Sequence, residues 1–325
     1  MAEMTMIQAI NQAMAQEMER DERVVILGQD VGKNGGVFRA TEGLQGRFGE
    51  ERVMDTPLAE SAIVGTSIGL AVNSFRPIAE IQFLGFIYET MDQISAQAAR
   101  VRFRSAGRFT SPIVIRSPYG GGVRTPELHS DSLEALFAHT PGLKVIMPSN
   151  AYDAKGLLIS AIRDNDPVLF LEPMKLYRAF KLEVPDEVYE VPIGEAKVVK
   201  DGEDVTIVTW GATVPLAQKV AEEAEPRNIS VEVIDLRTVQ PIDLETIVQS
   251  VEKTGRLIIV HEAVKSAGVG GEVASLVSEY SLFSLASPIL RVTGYDTPYP
   301  VPSVEDDWLP TAPRIHAAIE KVMEF

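Results

Sequence analysis

The sequence predicts two consecutive α/β domains, the first built on a parallel sheet with both faces covered. Three observations carry this reading. Short apolar runs alternate with helical stretches from Val24 to Leu171, the pattern of strands buried on both sides and joined by crossover helices. A proline-rich, charged and aperiodic stretch, Glu172 to Gly194, then interrupts the alternation. From Val205 it resumes. The chain has 325 residues, enough for two ordinary domains. We place the first at residues 1–185, a linker at 186–200 and the second at 201–325.

In chain order, Met6 to Arg20 is helical, with Ile7, Ile10, Met14 and Met18 on one packed face. Val24 to Leu27 is a buried strand closed by Gly28. The loop that follows is rich in glycine, but its glycines do not fall as G-x-G-x-x-G, so it reads as loop geometry and not as a dinucleotide fingerprint. Asp55-Thr56-Pro57 ends a strand and opens a helix. That helix, to Asn73, is small and apolar with Gly65 and Gly69 four apart, and is expected to be buried nearly all round. Strands follow at Pro77–Phe83, Pro112–Arg116, Leu143–Met147 and Val168–Leu171. Helices are expected at about Glu89–Arg104 and at Tyr152–Arg163, the latter capped by Pro148-Ser149-Asn150. In the second domain the strands are Val205–Trp210, Val231–Leu236 and Leu257–Glu262. The helices are Ala212–Ala224, one opening after Ser266-Ala267-Gly268, and Ala312–Met323. Asp201-Gly202-Glu203-Asp204 reads as a hairpin turn.

Composition narrows the function. The formal net charge is -16, which disfavours sequence-independent binding to nucleic acid. There is no cysteine, hence no disulfide framework or zinc–thiolate site. No stretch is long and apolar enough to span a bilayer, and the first residues lack the basic start and apolar core of a signal peptide. A cytoplasmic location is the expectation.

The least ordinary residue is Glu60, the only charge between Thr56 and Asn73. A carboxylate at a helix start has two readings. It can pair with the positive end of the helix dipole, for about 0.3–1 kcal/mol. It can also be a proton-exchanging acid in apolar surroundings. MDTPLAES, followed by EIQFLGFIYETMDQI, resembles the beta subunit of the thiamine-diphosphate-dependent 2-oxoacid dehydrogenases. The resemblance continues in the Gly120–Ser132 loop, AIRDNDP, DLRTVQP and DTPYP, and so covers nearly the whole chain. It implies a transketolase-like architecture: an N-terminal pyrimidine-binding parallel α/β domain and a C-terminal mixed-sheet α/β domain.

The resemblance also implies a site. The glutamate at Glu60 bonds a ring nitrogen of the cofactor's aminopyrimidine and drives the tautomer that activates it. Phe86 stacks on that ring, and Leu58 joins the cofactor-binding residues. In the loop SPYGGGVRTPELHSDS, a lone histidine is by itself structural or exposed. By resemblance, His129 orients substrate or moves a proton during acyl transfer. His139 reads as packing or a supporting residue, and His261 is unassigned. Gln29 stands where relatives usually carry glutamate. The turn AIRDNDP is a plain connector on its own terms; the resemblance makes it a potassium site with Ile113, Ala161, Ile162, Asp164 and Asp166 as ligands, oxygen donors that suit a hard cation.

A thiamine diphosphate site needs a second half for magnesium and the diphosphate, usually a G-D-G motif followed by asparagine. Asp201-Gly202-Glu203-Asp204 lacks the leading glycine. The resemblance assigns that half, with Mg2+, to a separate alpha subunit in an α2β2 tetramer. It also implies docking to the subunit-binding domain of a dihydrolipoyl acyltransferase, with Asp296, Glu305 and the Phe325 carboxylate as contacts. The function it implies is the decarboxylating component of the pyruvate dehydrogenase complex. Branched-chain 2-oxoacid and acetoin dehydrogenases are the rival substrates, and a non-catalytic scaffold the rival of another class.

Overall fold

The computed structural model describes residues 1–325. Fourteen strands form three sheets. The first eight are β1 (Ala2–Met4), β2 (Val24–Gly28), β3 (Val53–Asp55), β4 (Arg76–Glu80), β5 (Val114–Tyr119), β6 (Lys144–Ile146), β7 (Val168–Pro173) and β8 (Leu182–Val184). The remaining six are β9 (Lys197–Lys200), β10 (Val205–Thr209), β11 (Val231–Asp235), β12 (Thr238–Gln240), β13 (Leu257–Val264) and β14 (Leu290–Gly294). The α-helices of the N-terminal half are α1 (Met6–Arg20), α2 (Leu44–Phe48), α3 (Glu60–Val72), α4 (Val101–Arg104), α5 (Glu134–Ala138) and α6 (Ala151–Arg163). Those of the C-terminal half are α7 (Val214–Ala224), α8 (Leu244–Thr254), α9 (Val269–Tyr280), α10 (Glu305–Trp308) and α11 (Ala312–Met323).

The large sheet has the order β12-β6-β7-β5-β4-β2-β3 and is parallel except for β12, which runs antiparallel to β6. Its strands read as continuous apolar runs because both faces are covered. Helices α1 and α6 pack together over one face, where Arg163 and Arg20 both meet the buried Glu17. Asn150 caps α6 by accepting the Asp153 N–H at 2.9 Å. The second sheet, β14-β13-β10-β11-β9, is parallel except for β9. A continuous apolar core joins the two sheets, running from Leu27 and Ile63 through Phe137 and Trp210 to Ile247 and Val273.

Several expectations meet differences. Thr238–Gln240 lies in the second half of the chain but completes the first sheet, pairing with Lys144–Ile146. Lys197–Lys200, within the stretch read as linker, forms the antiparallel edge of the second sheet. Asp201–Asp204 is not a hairpin turn: β9 and β10 do not pair, and Asp204 instead accepts the Ser230 N–H. The helix expected from Glu89 to Arg104 is an irregular winding: a 3-10 segment at Leu84–Thr90, a π segment at Asp92–Gln97, a 3-10 turn at Ala98–Arg100, then α4. Helix α8 was not anticipated, although Asp243 caps it and Gly255, in the left-handed region, ends it. Helix α3 is not buried nearly all round. Ile63, Val64, Ser67 and Ala71 face the core, while Ala62, Thr66, Gly69 and Val72 are open on the opposite face of this single chain. No helix is long and apolar enough to cross a membrane.

Candidate active site

The carboxyl ends of β2, β3, β4 and β5 deliver four segments to one edge of the large sheet, the usual place for a ligand in parallel α/β domains. The glycine-rich loop after β2 is held by Asp55, whose carboxylate accepts the N–H groups of Gly32 and Lys33 at 2.7 and 3.0 Å. That contact supports reading the loop by its geometry. Gln29 is half-buried, and its side-chain oxygen has no partner.

Thr56 to Ala59 then lead from β3 into α3. Leu58 is 66% exposed at this entrance. Glu60 is the first residue of α3 and only 7% exposed as a whole residue, while its carboxylate oxygens stay open to solvent and make no hydrogen bond or ion pair within the chain. A carboxyl group set in an enclosed side chain, with its oxygens unpaired and accessible, is free to accept a hydrogen bond from a ligand.

The segment Leu84–Thr90 packs directly on α3, where the Ser61 hydroxyl donates to the Glu89 carbonyl. Its other side meets the turn Glu127–His129. A Cβ on Gly85 would lie 1.9 Å from the Leu128 carbonyl oxygen, so only glycine permits this approach. The result is an aromatic nest around His129. The Phe83 ring lies 4.4 Å from the imidazole and the Phe86 ring 5.1 Å, both edge-on. Phe83 is backed in turn by Phe38 at 5.6 Å. The Nδ1 atom of His129 is buried without a partner. The structure therefore sets Phe86 against His129, and Glu60 opens the helix that packs on the same short segment; Leu58 is exposed just before that helix. Phe83 escaped the sequence reading. Its signal was present, an aromatic three positions before Phe86.

The other histidines separate clearly. His139 follows α5 and is exposed, which removes the packing role expected of it. His261 is fully buried, stacked 5.0 Å from Trp210, and neither ring nitrogen has a partner. Burial, with Arg291 nearby, holds it neutral by lowering its pKa to about 3. Glu305 is 1% exposed and engaged inside the chain, so it cannot serve as the docking contact expected of it. Asp296 accepts both the N–H and hydroxyl of Ser266, while Phe325 is exposed.

At the opposite end of the large sheet, the turn after α6 gathers carbonyl oxygens. Those of Ile162 and Asp164 accept from Arg76 Nη1 at 2.9 and 2.8 Å. The Ile113 carbonyl accepts from the Val168 N–H at 2.9 Å, and that of Ala161 from the Asp164 N–H at 3.3 Å. The Asp166 side chain pairs with Arg102 at 2.5 Å. A carbonyl has two lone pairs, so these oxygens remain chemically able to hold a hard cation, in competition with the Arg76 guanidinium.

Comparison with known proteins supplies the lineage. Residues 2–180 match the pyrimidine-binding domain of transketolase, and residues 194–315 match the transketolase C-terminal domain. Over its full length the chain is 58% identical to the pyruvate dehydrogenase E1 component subunit beta of Bacillus subtilis (strain 168), covering 100% of both chains. The chain belongs to this family. Beta subunits of the same name from Staphylococcus epidermidis and Staphylococcus aureus are 57% and 58% identical, again with 100% coverage of both chains. Among solved structures, a split-gene transketolase described as an inactive beta4 tetramer aligns with a TM-score of 0.80 over 99% of each chain; at 22% identity this speaks to the fold alone. The family's two-domain transketolase-like architecture is the one predicted from the sequence, with a mixed second sheet.

Proposed function

We propose that this chain is the beta subunit of pyruvate dehydrogenase (acetyl-transferring), working with a separate alpha subunit. Together they oxidatively decarboxylate pyruvate and pass the acetyl group to the lipoyl group of a dihydrolipoyl acyltransferase. The observation that carries the reading is full-length identity of 57–58% to subunits of that name. The unpaired Glu60, at the start of the helix that packs on the segment carrying Phe86 against His129, supports it at the level of the site.

The residues fit thiamine diphosphate. Bound there, the cofactor would supply a carbon nucleophile for the 2-oxo carbon and an electron sink for decarboxylation. Glu60, whose carboxylate oxygens are unpaired and accessible, would hold the aminopyrimidine through a ring nitrogen. Phe86 would offer its ring to the heterocycle, and the exposed Leu58 side chain would add apolar contact. His129, with aromatic rings on two sides, is restricted in orientation and presents its imidazole to the substrate or the incoming lipoyl group.

In this reading the alpha subunit holds Mg2+ and the diphosphate, and the assembly is α2β2. The open small-residue face of α3 is available for close packing against another subunit. The turn at Ile113, Ala161, Ile162, Asp164 and Asp166 holds potassium, and the protein works in the cytoplasm, docked to the acyltransferase's subunit-binding domain.

The test is pyruvate-dependent reduction of an artificial electron acceptor with thiamine diphosphate and magnesium. Activity only after co-expression with an alpha subunit is the expected result. Activity of the chain alone would overturn the divided site. Turnover of branched 2-oxoacids but not pyruvate would overturn the substrate.

A further inference from the structure

We propose that two carboxylates of the C-terminal half, Glu262 and Glu305, latch the loop segment Gly120–Arg124 and thereby position His129. This rests on the role given to His129 above.

A loop that begins with three glycines has no side chains by which to be anchored there. Only its backbone N–H groups can be gripped, and they are. The Gly121 N–H donates to Glu262 Oε1. The N–H groups of Gly122 and Arg124 donate to Glu305 Oε1 at 2.9 and 3.3 Å. Glu305 is itself held, because the Tyr299 hydroxyl donates to Oε1 at 2.7 Å and Arg124 Nε stands 3.4 Å from Oε2. Arg124 extends the grip to Asp306 at 2.5 Å and to the Pro302 carbonyl. A Cβ on Gly121 would lie 1.7 Å from the Tyr299 oxygen, so the loop can lie this close only as glycine.

The rest of the loop transmits that position. Its base closes where the Gly120 N–H donates to the Asp131 carbonyl at 3.2 Å. The hydroxyls of Thr125 and Ser130 share a hydrogen bond of 2.6 Å across the turn that carries His129. The far side of that turn rests on Phe83, Gly85 and Phe86 of the N-terminal half. The loop is thus a strap between the domains, with buried carboxylates at one end and the imidazole at the other. Glu262 and Glu305 touch no reacting atom in this arrangement; they are positioning residues.

Limited trypsin digestion reads the strap directly, because Arg124 is a cleavage site inside it. The full chain and the co-expressed assembly would be compared as the parent, Glu305→Ala, Glu262→Ala, Glu305→Gln and Tyr299→Phe, with Glu320→Gln as a distant control. For the alanine variants, cleavage after Arg124 should accelerate about tenfold or more, since the backbone donors of the loop lose their buried carboxyl acceptor and cleavage follows the open population. Glu305→Gln, which keeps an oxygen acceptor, should stay closer to the parent. In the assembly, kcat for acetyl transfer should fall while KM for pyruvate holds. Tyr299→Phe keeps the ring against Trp308 and should show a smaller rise in the same direction, which preserves the test if an alanine variant does not fold. Arg124 cleavage unchanged in the variants that fold would overturn the latch. His129→Ala separates the two claims: full acetyl transfer by that variant would remove the role of His129, while the protease result would still decide whether the strap is latched.

Discussion

Two buried carboxylate sites in the N-terminal domain are built on opposite principles. Glu80 and Glu172, at the ends of β4 and β7, are closed by the buried Arg116 between them. Its Nη1 reaches Glu80 at 2.8 Å, and its Nε and Nη2 grip Glu172 at 2.7 and 2.9 Å. The buried Tyr177 hydroxyl adds a further bond to Glu172 at 2.5 Å. Burial pushes the Glu80 carboxyl up, against the pull of Arg116. Glu60, in the same domain, is little exposed as a residue, but its carboxylate oxygens have no partner and stay open to solvent. A carboxylate whose lone pairs are filled by its own chain is architecture. One whose oxygens stay unpaired and accessible is free to meet a group outside the chain.

The largest way to stress this contrast is Arg116→Leu. It strands Glu80 and Glu172 without a counter-charge, and should cost about 3–5 kcal/mol in chemical denaturation. A loss under about 1 kcal/mol would mean the cluster is not what holds these strands. Next is His129→Ala in the assembled enzyme, which should lower acetyl transfer by about 10²-fold or more if the imidazole moves a proton. Its acceptor-dependent decarboxylation should suffer less. An equal loss in both assays would instead place His129 at the decarboxylation step. Tyr177→Phe removes a single hydrogen bond to the closed cluster and should cost about 1.5–3 kcal/mol, read from the same denaturation curves.

The pH dependence sharpens the comparison at a third place. Burial raises Asp235 to about 7, helped by nearby Asp153, and burial likewise raises Glu262 to about 7, helped by Glu134 and Glu305. A carboxyl whose folded pKa lies above its unfolded value favours the folded state while protonated. Its contribution is present at acid pH and is lost as pH rises from about 4 toward and through about 7. Melting temperature measured across that window should fall more steeply in the parent than in Asp235→Asn. Parallel curves would contradict the raised value. The smallest effect expected is that of potassium on melting temperature. Raising potassium against a sodium background should stabilise the fold modestly, and no response would argue against the carbonyl turn as a cation site.

Much of the fold was legible because its signals are local. The first and last helices, Met6–Arg20 and Ala312–Met323, follow from periodicity to the residue. Thr238–Gln240 was not legible, since three residues carry no period and their partner strand lies some hundred residues earlier. Helix Leu244–Thr254 did carry cap and stop signals, which went unread. The open face of α3 misled for a physical reason: small apolar residues look alike whether their own chain or another subunit covers them. At the site, Glu60, Phe86 and His129 stood out through motif resemblance. Glu262 did not, and Glu305 stood out only as a docking contact, because their hydrogen bonds to the glycine loop span more than a hundred residues of sequence and leave no trace in spacing.

The most direct measurement is Glu60→Gln in the chain co-expressed with its alpha subunit, followed by both denaturation and pyruvate-dependent acceptor reduction. An open carboxylate predicts unfolding within about 0.5 kcal/mol of the parent and turnover reduced by about 10²–10⁴-fold. Loss of stability with activity retained would show that Glu60 belongs to the architecture after all.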